Sequence, residues 1–131
     1  MKLEEFKNSW NLPEFKIQKV EHREGGSVWL YLYPEDSKRD SRLAICIPEY
    51  EAMRVCNESY TLLLNGQWLD EVPGKQIVRV SDSDWIKEIE QQSFEGSLMI
   101  KQQSAVHYII ADLEWVYEFI SYDEPDLIEL E

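Results

Sequence analysis

Ala105-Val106-His107-Tyr108-Ile109-Ile110-Ala111 and Trp115-Val116-Tyr117-Glu118-Phe119-Ile120-Ser121, joined by Asp112-Leu113-Glu114, form the most informative stretch of this sequence. Each half reads as a β-strand, and each carries apolar residues on both faces. Val106, Tyr108 and Ile110 oppose Ile109, while Trp115, Tyr117 and Phe119 oppose Val116 and Ile120. Strands of this kind are covered on both sides, or covered on one side and used for contact on the other. The nearest candidate cover is a short helix upstream, at about residues 82–93. Ser81 is placed to cap it, with Asp84 in the position of a capping-box acid, and Asp82 and Asp84 set negative charge at its first turn. Trp85, Ile86 and Ile89 supply its apolar stripe.

Further out, the pattern stays strand-rich. Phe15 to Val20 alternates imperfectly between Ile17 and Val20, which predicts a bulge or an edge. Gly25-Gly26 supplies a turn in which positive φ carries no Cβ penalty. Val28, Leu30 and Leu32 oppose Trp29, Tyr31 and Tyr33 in the next strand. Residues 34–40 form a polar connection. Leu43, Ile45 and Ile47 line one side of a strand that Pro48 ends or places at a sheet edge. Ala52–Val55, Tyr60–Leu64 and Gln76–Val80 follow, with hairpin signals at Asn65-Gly66 and Pro73-Gly74. Asp123-Glu124-Pro125-Asp126 closes the pattern, and a short strand over Leu127 to Leu130 follows. Leu3, Phe6 and Trp10 fit one face of an N-terminal helical turn. The expected fold is therefore a single α+β domain over 1–131, mainly antiparallel β-sheet with one principal helix.

Composition narrows function mainly by exclusion. The 131 residues hold 26 acids against 13 bases, a formal charge of −13, and are 44% apolar. A nucleic-acid binder or a reader of anionic membranes must neutralise phosphates with Lys and Arg, so neither class fits. No apolar run approaches the length of a membrane span, and Met1 to Lys7 lacks the apolar core of a signal peptide. A cytoplasmic protein is expected. Cys46 and Cys56 are too few for a disulfide framework, and Cys46, inside Leu43–Ile47, reads as a buried inert thiol.

Motifs for catalysis are sparse. There is no Gly-x-Ser-x-Gly elbow, and a Cys nucleophile would need His22 or His107 from far along the chain. Gly25-Gly26 and Pro73-Gly74-Lys75 are hairpin turns rather than phosphate loops. The two histidines have no ligand-spaced partners, and Asp82, Asp84 and Glu88 lack the remaining positions of a calcium loop. His107 reads as a core-edge histidine bonded to a neighbour. No metal and no cofactor are expected.

Charge distribution points elsewhere. From Gln102 to Glu131 there are eight acids and no Lys or Arg, interleaved with Trp115, Tyr117, Phe119, Ile120 and Tyr122. Acids around aromatics describe an interface with an apolar centre and a charged rim. Candidate partner-binding residues are Asp112, Glu114, Trp115, Tyr117, Glu118, Tyr122, Asp123 and Glu124, and the partner would be basic.

One family resemblance rests on Asp84-Trp85-Ile86-Lys87-Glu88-Ile89, then His107-Tyr108-Ile109-Ile110, then Val116-Tyr117-Glu118-Phe119-Ile120. This succession resembles the ends of small bacterial immunity-type proteins, the non-enzymatic partners of polymorphic toxins, and Leu43 to Ile47 is compatible with the same group. It covers about half of the chain and rests on strand patterning, so it carries over no functional residue. It implies a bacterial, non-catalytic protein that works by occlusion: acids cover the surface a basic toxin needs for its anionic substrate. The expected function is thus a non-catalytic acidic protein-interaction module, the immunity role included. Two alternatives stand beside it. One is a small-molecule-binding domain with an aromatic pocket from Trp29, Tyr31, Trp68 and Trp115. The other is a homodimer joined through exposed sheet faces.

Overall fold

A computed structural model describes residues 2–6, 10, 12, 14–34, 43–57, 77–92, 104–112 and 114–130. The elements, in chain order, are β1 (Lys2–Glu5), β2 (Phe15–Arg23), β3 (Ser27–Pro34), β4 (Leu43–Ile47), β5 (Tyr50–Asn57), β6 (Ile77–Ser81), α1 (Asp84–Gln92), β7 (Val106–Ala111), β8 (Trp115–Ser121) and β9 (Asp126–Glu129). They form two antiparallel sheets, one in the order β1-β6-β7-β8-β5 and the other β2-β3-β4-β9. The fold is α+β and mainly β, with a single helix among the described residues.

The two sheets share one core. Phe15, Val28, Leu30, Leu32, Ile45 and Ile47 of the four-stranded sheet pack with Ile77, Tyr108, Ile110 and Phe119 of the five-stranded sheet, and Phe6 joins them. Alternation sends the other residues of β6, β7 and β8 outward, where Val78, Val80, Ile109 and Val116 cluster with Leu3. The apolar character of both faces of β7 and β8 thus has two sources. The inner face meets a second sheet, not the helix that the sequence suggested as cover. No helix residue is buried, and α1 reaches the outer face through Trp85, whose ring meets that of His107 edge-on at 5.2 Å.

The bulge predicted in β2 lies between Ile17 and Lys19. The hairpin after β2 turns on Gly25 and Gly26, at φ +88° and +85°. A Cβ at either would meet no atom within 4 Å, so the cost of Gly25→Ala or Gly26→Ala is purely conformational. Each is expected to lower stability by about 1–2 kcal/mol, measurable by urea unfolding. Pro48 ends β4, which lies between β3 and β9 rather than at an edge.

Two local expectations are corrected. Leu3 to Trp10 does not begin as a helical turn, because Lys2–Glu5 pairs with β6 as a strand. An odd spacing in a strand sends Leu3 to the outer cluster and Phe6 to the inner core. Ser81 does not cap the helix: it ends β6, paired with Lys2. Ser83 is the cap, its Oγ accepting the Ile86 N–H at 3.2 Å. The strand Tyr60–Leu64, the turns at Asn65-Gly66 and Pro73-Gly74, the connection 35–40 and Trp68 lie outside the described residues.

Candidate functional site

The proposed contact residues separate into three environments. Asp112 serves the fold. Its Oδ1 accepts the N–H groups of Glu114 (2.7 Å) and Trp115 (2.8 Å), closing the β7–β8 turn, and its Oδ2 accepts the Ile17 N–H of the other sheet at 3.0 Å. That last bond takes up a donor at the β2 bulge. Asp112→Ala removes all three hydrogen bonds and is expected to cost about 2–3 kcal/mol. Asp112→Asn, which keeps one carbonyl oxygen, should cost less in the same unfolding assay.

Phe119 and Glu118 are enclosed. Phe119 has no exposed surface. Glu118, expected at a charged rim, is 2% exposed and its carboxylate is held from two sides. Arg54 grips it with a fork, Nε to Oε2 at 2.6 Å and Nη2 to Oε1 at 3.0 Å, and His107 Nε2 stands 2.8 Å from Oε1. Burial alone would raise the Glu118 carboxyl, but the hydrogen bonds from His107 and Arg54 outweigh it and hold the group below the usual carboxylate range. Glu118 is therefore not a surface acid that could meet a basic partner.

Trp115, Glu114, Asp123 and Glu124 are exposed. Trp115 is 42% exposed, as is Val55. The β5–β8 register sets Val55 beside Tyr117 and Asn57 beside Trp115, so Val55, Tyr117 and Trp115 share one face in an apolar strip. Tyr117 is half-buried, and burial, then the Asp112 charge, push its phenol up. Tyr122, also half-buried, has a hydroxyl without a hydrogen-bond partner among the described residues, and burial with the Glu51 and Glu49 charges raises its phenol too.

Of the aromatic residues considered for a pocket, the three described ones belong to two different sheets. Trp29 and Tyr31 belong to the four-stranded sheet and are covered by its own cations, Arg23 lying 3.7 Å from the Trp29 ring centre and Lys19 4.5 Å from that of Tyr31. Trp115 belongs to the five-stranded sheet. Cys46 is buried and Cys56 partly so, both free thiols pushed up by burial first. Among the described residues, no group of three or more His, Cys, Asp or Glu could hold a metal ion, and no helix is long and apolar enough to cross a membrane.

One constellation escaped the sequence reading. Ser83 Oγ stands 2.7 Å from His107 Nδ1, and with Glu118 on the other ring nitrogen the three side chains form a buried chain that ends on Arg54. Topology assembles it. Val80 pairs with His107, so the chain leaving β6 brings Ser83 over the imidazole; Ile109 pairs with Glu118, placing His107 and Glu118 as diagonal neighbours on the outer face. Trp85 fixes the site from above, its ring between His107 and the Arg54 guanidinium, which lies 4.1 Å from the ring centre. A signal for Glu118 was present: on its own face it sits between Val116 and Ile120, a row where an acid must find partners.

No protein-family model matches the chain, and no curated protein and no solved structure matches it.

Proposed function

We propose that this chain is an acidic protein-interaction module of the cytoplasm that receives a basic partner on the strip formed by Val55, Tyr117 and Trp115. The observation that carries this reading is the paired exposure of Trp115 and Val55, each 42%, on neighbouring strands. A large ring with a polar N–H, half open to water, is the kind of side chain that anchors interfaces. Glu114 beside it and the overall charge of −13 favour a cationic partner and fast, salt-sensitive encounter. The finer reading is an immunity-type protein, in which the acidic surface occupies the site where a basic toxin receives its anionic substrate.

The test uses a basic protein encoded beside this chain's gene, with affinity and association rate measured at low and moderate salt. Trp115→Ala is expected to weaken binding by about 30-fold or more, the loss typical of an anchoring residue. Raising the salt should slow association. Unchanged affinity in Trp115→Ala would remove the strip from the interface. A ligand-induced rise in melting temperature without salt dependence would instead favour the small-molecule alternative, and a doubled mass in solution the homodimer.

A further inference from the structure

We propose that Ser83, His107 and Glu118 form a nucleophile–base–orienter chain that makes Ser83 acylatable, giving the protein a site for hydrolysis of small carboxylic esters. This goes beyond the docking reading and uses none of its strip.

One proton is placed by its partner: ionised Glu118 only accepts, so His107 Nε2 carries a hydrogen and donates to it. Activation of Ser83 requires Nδ1 to be bare, in which case it accepts the hydroxyl proton of Ser83 across 2.7 Å. The Ile86 N–H takes up another side of Oγ at 3.2 Å, so the hydroxyl has one orientation rather than several. Serine then donates to imidazole and imidazole donates to carboxylate, which is the polarity an activated serine requires, although here serine meets Nδ1 and the carboxylate meets Nε2. Arg54 keeps Glu118 ionised and still, and Trp85 holds the imidazole plane.

Two features exceed what a satisfied core histidine needs. The first is an opening. A depression of about 500 Å³ reaches Ser83, with a mixed lining in which Val80, Ile86 and Val106 stand beside the charged Arg79, Lys87 and Glu90. Its apolar side chains suit a short acyl chain, and its charged ones a polar group on the same ester. The second is the backbone at the nucleophile. Asp82, at φ +53°, turns the chain sharply between β6 and α1 and sets Ser83 at the head of the helix. The N–H groups of the first helical turn lack intrahelical acceptors, and that of Asp84, next to the serine, can hold an oxyanion. A serine on a sharp strand-to-helix turn is a placement that serine hydrolases of another fold also use; the flanking glycines of that motif are absent here.

In the reaction, Ser83 Oγ bonds to the ester carbonyl carbon as its proton passes to His107 Nδ1. The tetrahedral oxyanion then collapses, the carbon–oxygen bond to the alcohol breaks, and the alcohol leaves with the proton from Nδ1. Water attacks the acyl-serine, gives its proton to Nδ1, and the acid departs as Ser83 recovers that proton. Ester and water become acid and alcohol. Ser83 and His107 are the catalytic residues; Glu118 is a positioning residue.

The experiment is labelling of the native protein with a fluorophosphonate, followed by peptide mapping, alongside turnover of 4-nitrophenyl acetate. One adduct is expected, on Ser83. His107→Gln should slow labelling by about 100-fold or more. Glu118→Gln should slow it less and shift its pH profile, a change that loss of packing alone would not produce. Ser83→Thr retains a hydroxyl for the cap and should remain folded by circular dichroism while losing label and turnover. No adduct on folded wild-type protein, an adduct on a different serine, or a labelling rate unaffected by His107→Gln in folded protein would each overturn the proposal.

Discussion

Glu118→Ala is expected to destabilise the protein by about 3–5 kcal/mol, a large share of the roughly 5–15 kcal/mol that holds a domain of this size together. The reason is what remains behind. His107, 1% exposed, loses the acceptor for Nε2, and Arg54 loses both oxygens that hold its guanidinium over Trp85. A buried donor and a partly buried cation are left without a counterpart, which costs more than the intact pair contributes. Urea unfolding at neutral pH measures this. Glu118→Gln keeps an oxygen toward His107 and should lose distinctly less. The pH dependence has a definite sign. Because the folded-state carboxyl lies below its ordinary value of 4.5, its contribution is fully present above that value and declines as pH falls below it, through the folded-state value. Between pH 6 and pH 3 the wild-type midpoint should fall more steeply than that of Glu118→Gln. Parallel curves would show that Glu118 is not the group responsible.

Phe119→Ala is expected to cost about 3–5 kcal/mol as well, by a different route. Its ring is fully enclosed, meets Tyr50 edge-on at 6.2 Å, and lies between Met53 and Tyr108 in the strand register. Truncation leaves a cavity between two sheets that cannot close together around it. Trp115→Ala, four residues earlier on the same face, should leave the unfolding midpoint nearly unchanged, because so much of its ring is already in water. The pair of variants separates folding from docking: one should alter stability, the other binding. If Trp115→Ala unfolds the protein as readily as Phe119→Ala does, the exposed strip is structural.

That contrast also shows what the residues alone could reveal. Period-two alternation located β3, β4, β7 and β8 with accurate bounds, because each strand buries at least one complete side. It also located the bulge at Ile17. It could not locate the second sheet as the cover, since alternation tells which residues share a side but not what lies against it. Leu3 and Phe6 misled because a spacing of three is one face of a helix and two faces of a strand, and only pairing with β6 decides between them. The candidate site was half visible. Trp115 is exposed, whereas Glu118 was read by its charge rather than by its neighbours Val116 and Ile120. Ser83 could not be joined to His107 without the β6–β7 register, a relation between residues distant in sequence.

That same long-distance wiring has a kinetic consequence. β1 closes on β6, β4 closes on β9, and the Ile17–Asp112 bond spans 95 positions. The five-stranded sheet cannot be finished by a nascent chain until β8 (Trp115–Ser121) has left the ribosome, and the four-stranded sheet not until β9 (Asp126–Glu129) has. Such non-local connectivity slows the search for the native arrangement and leaves unpaired strands transiently open to intermolecular association. An excess of negative charge, whatever it does for docking, keeps nascent copies apart during that interval.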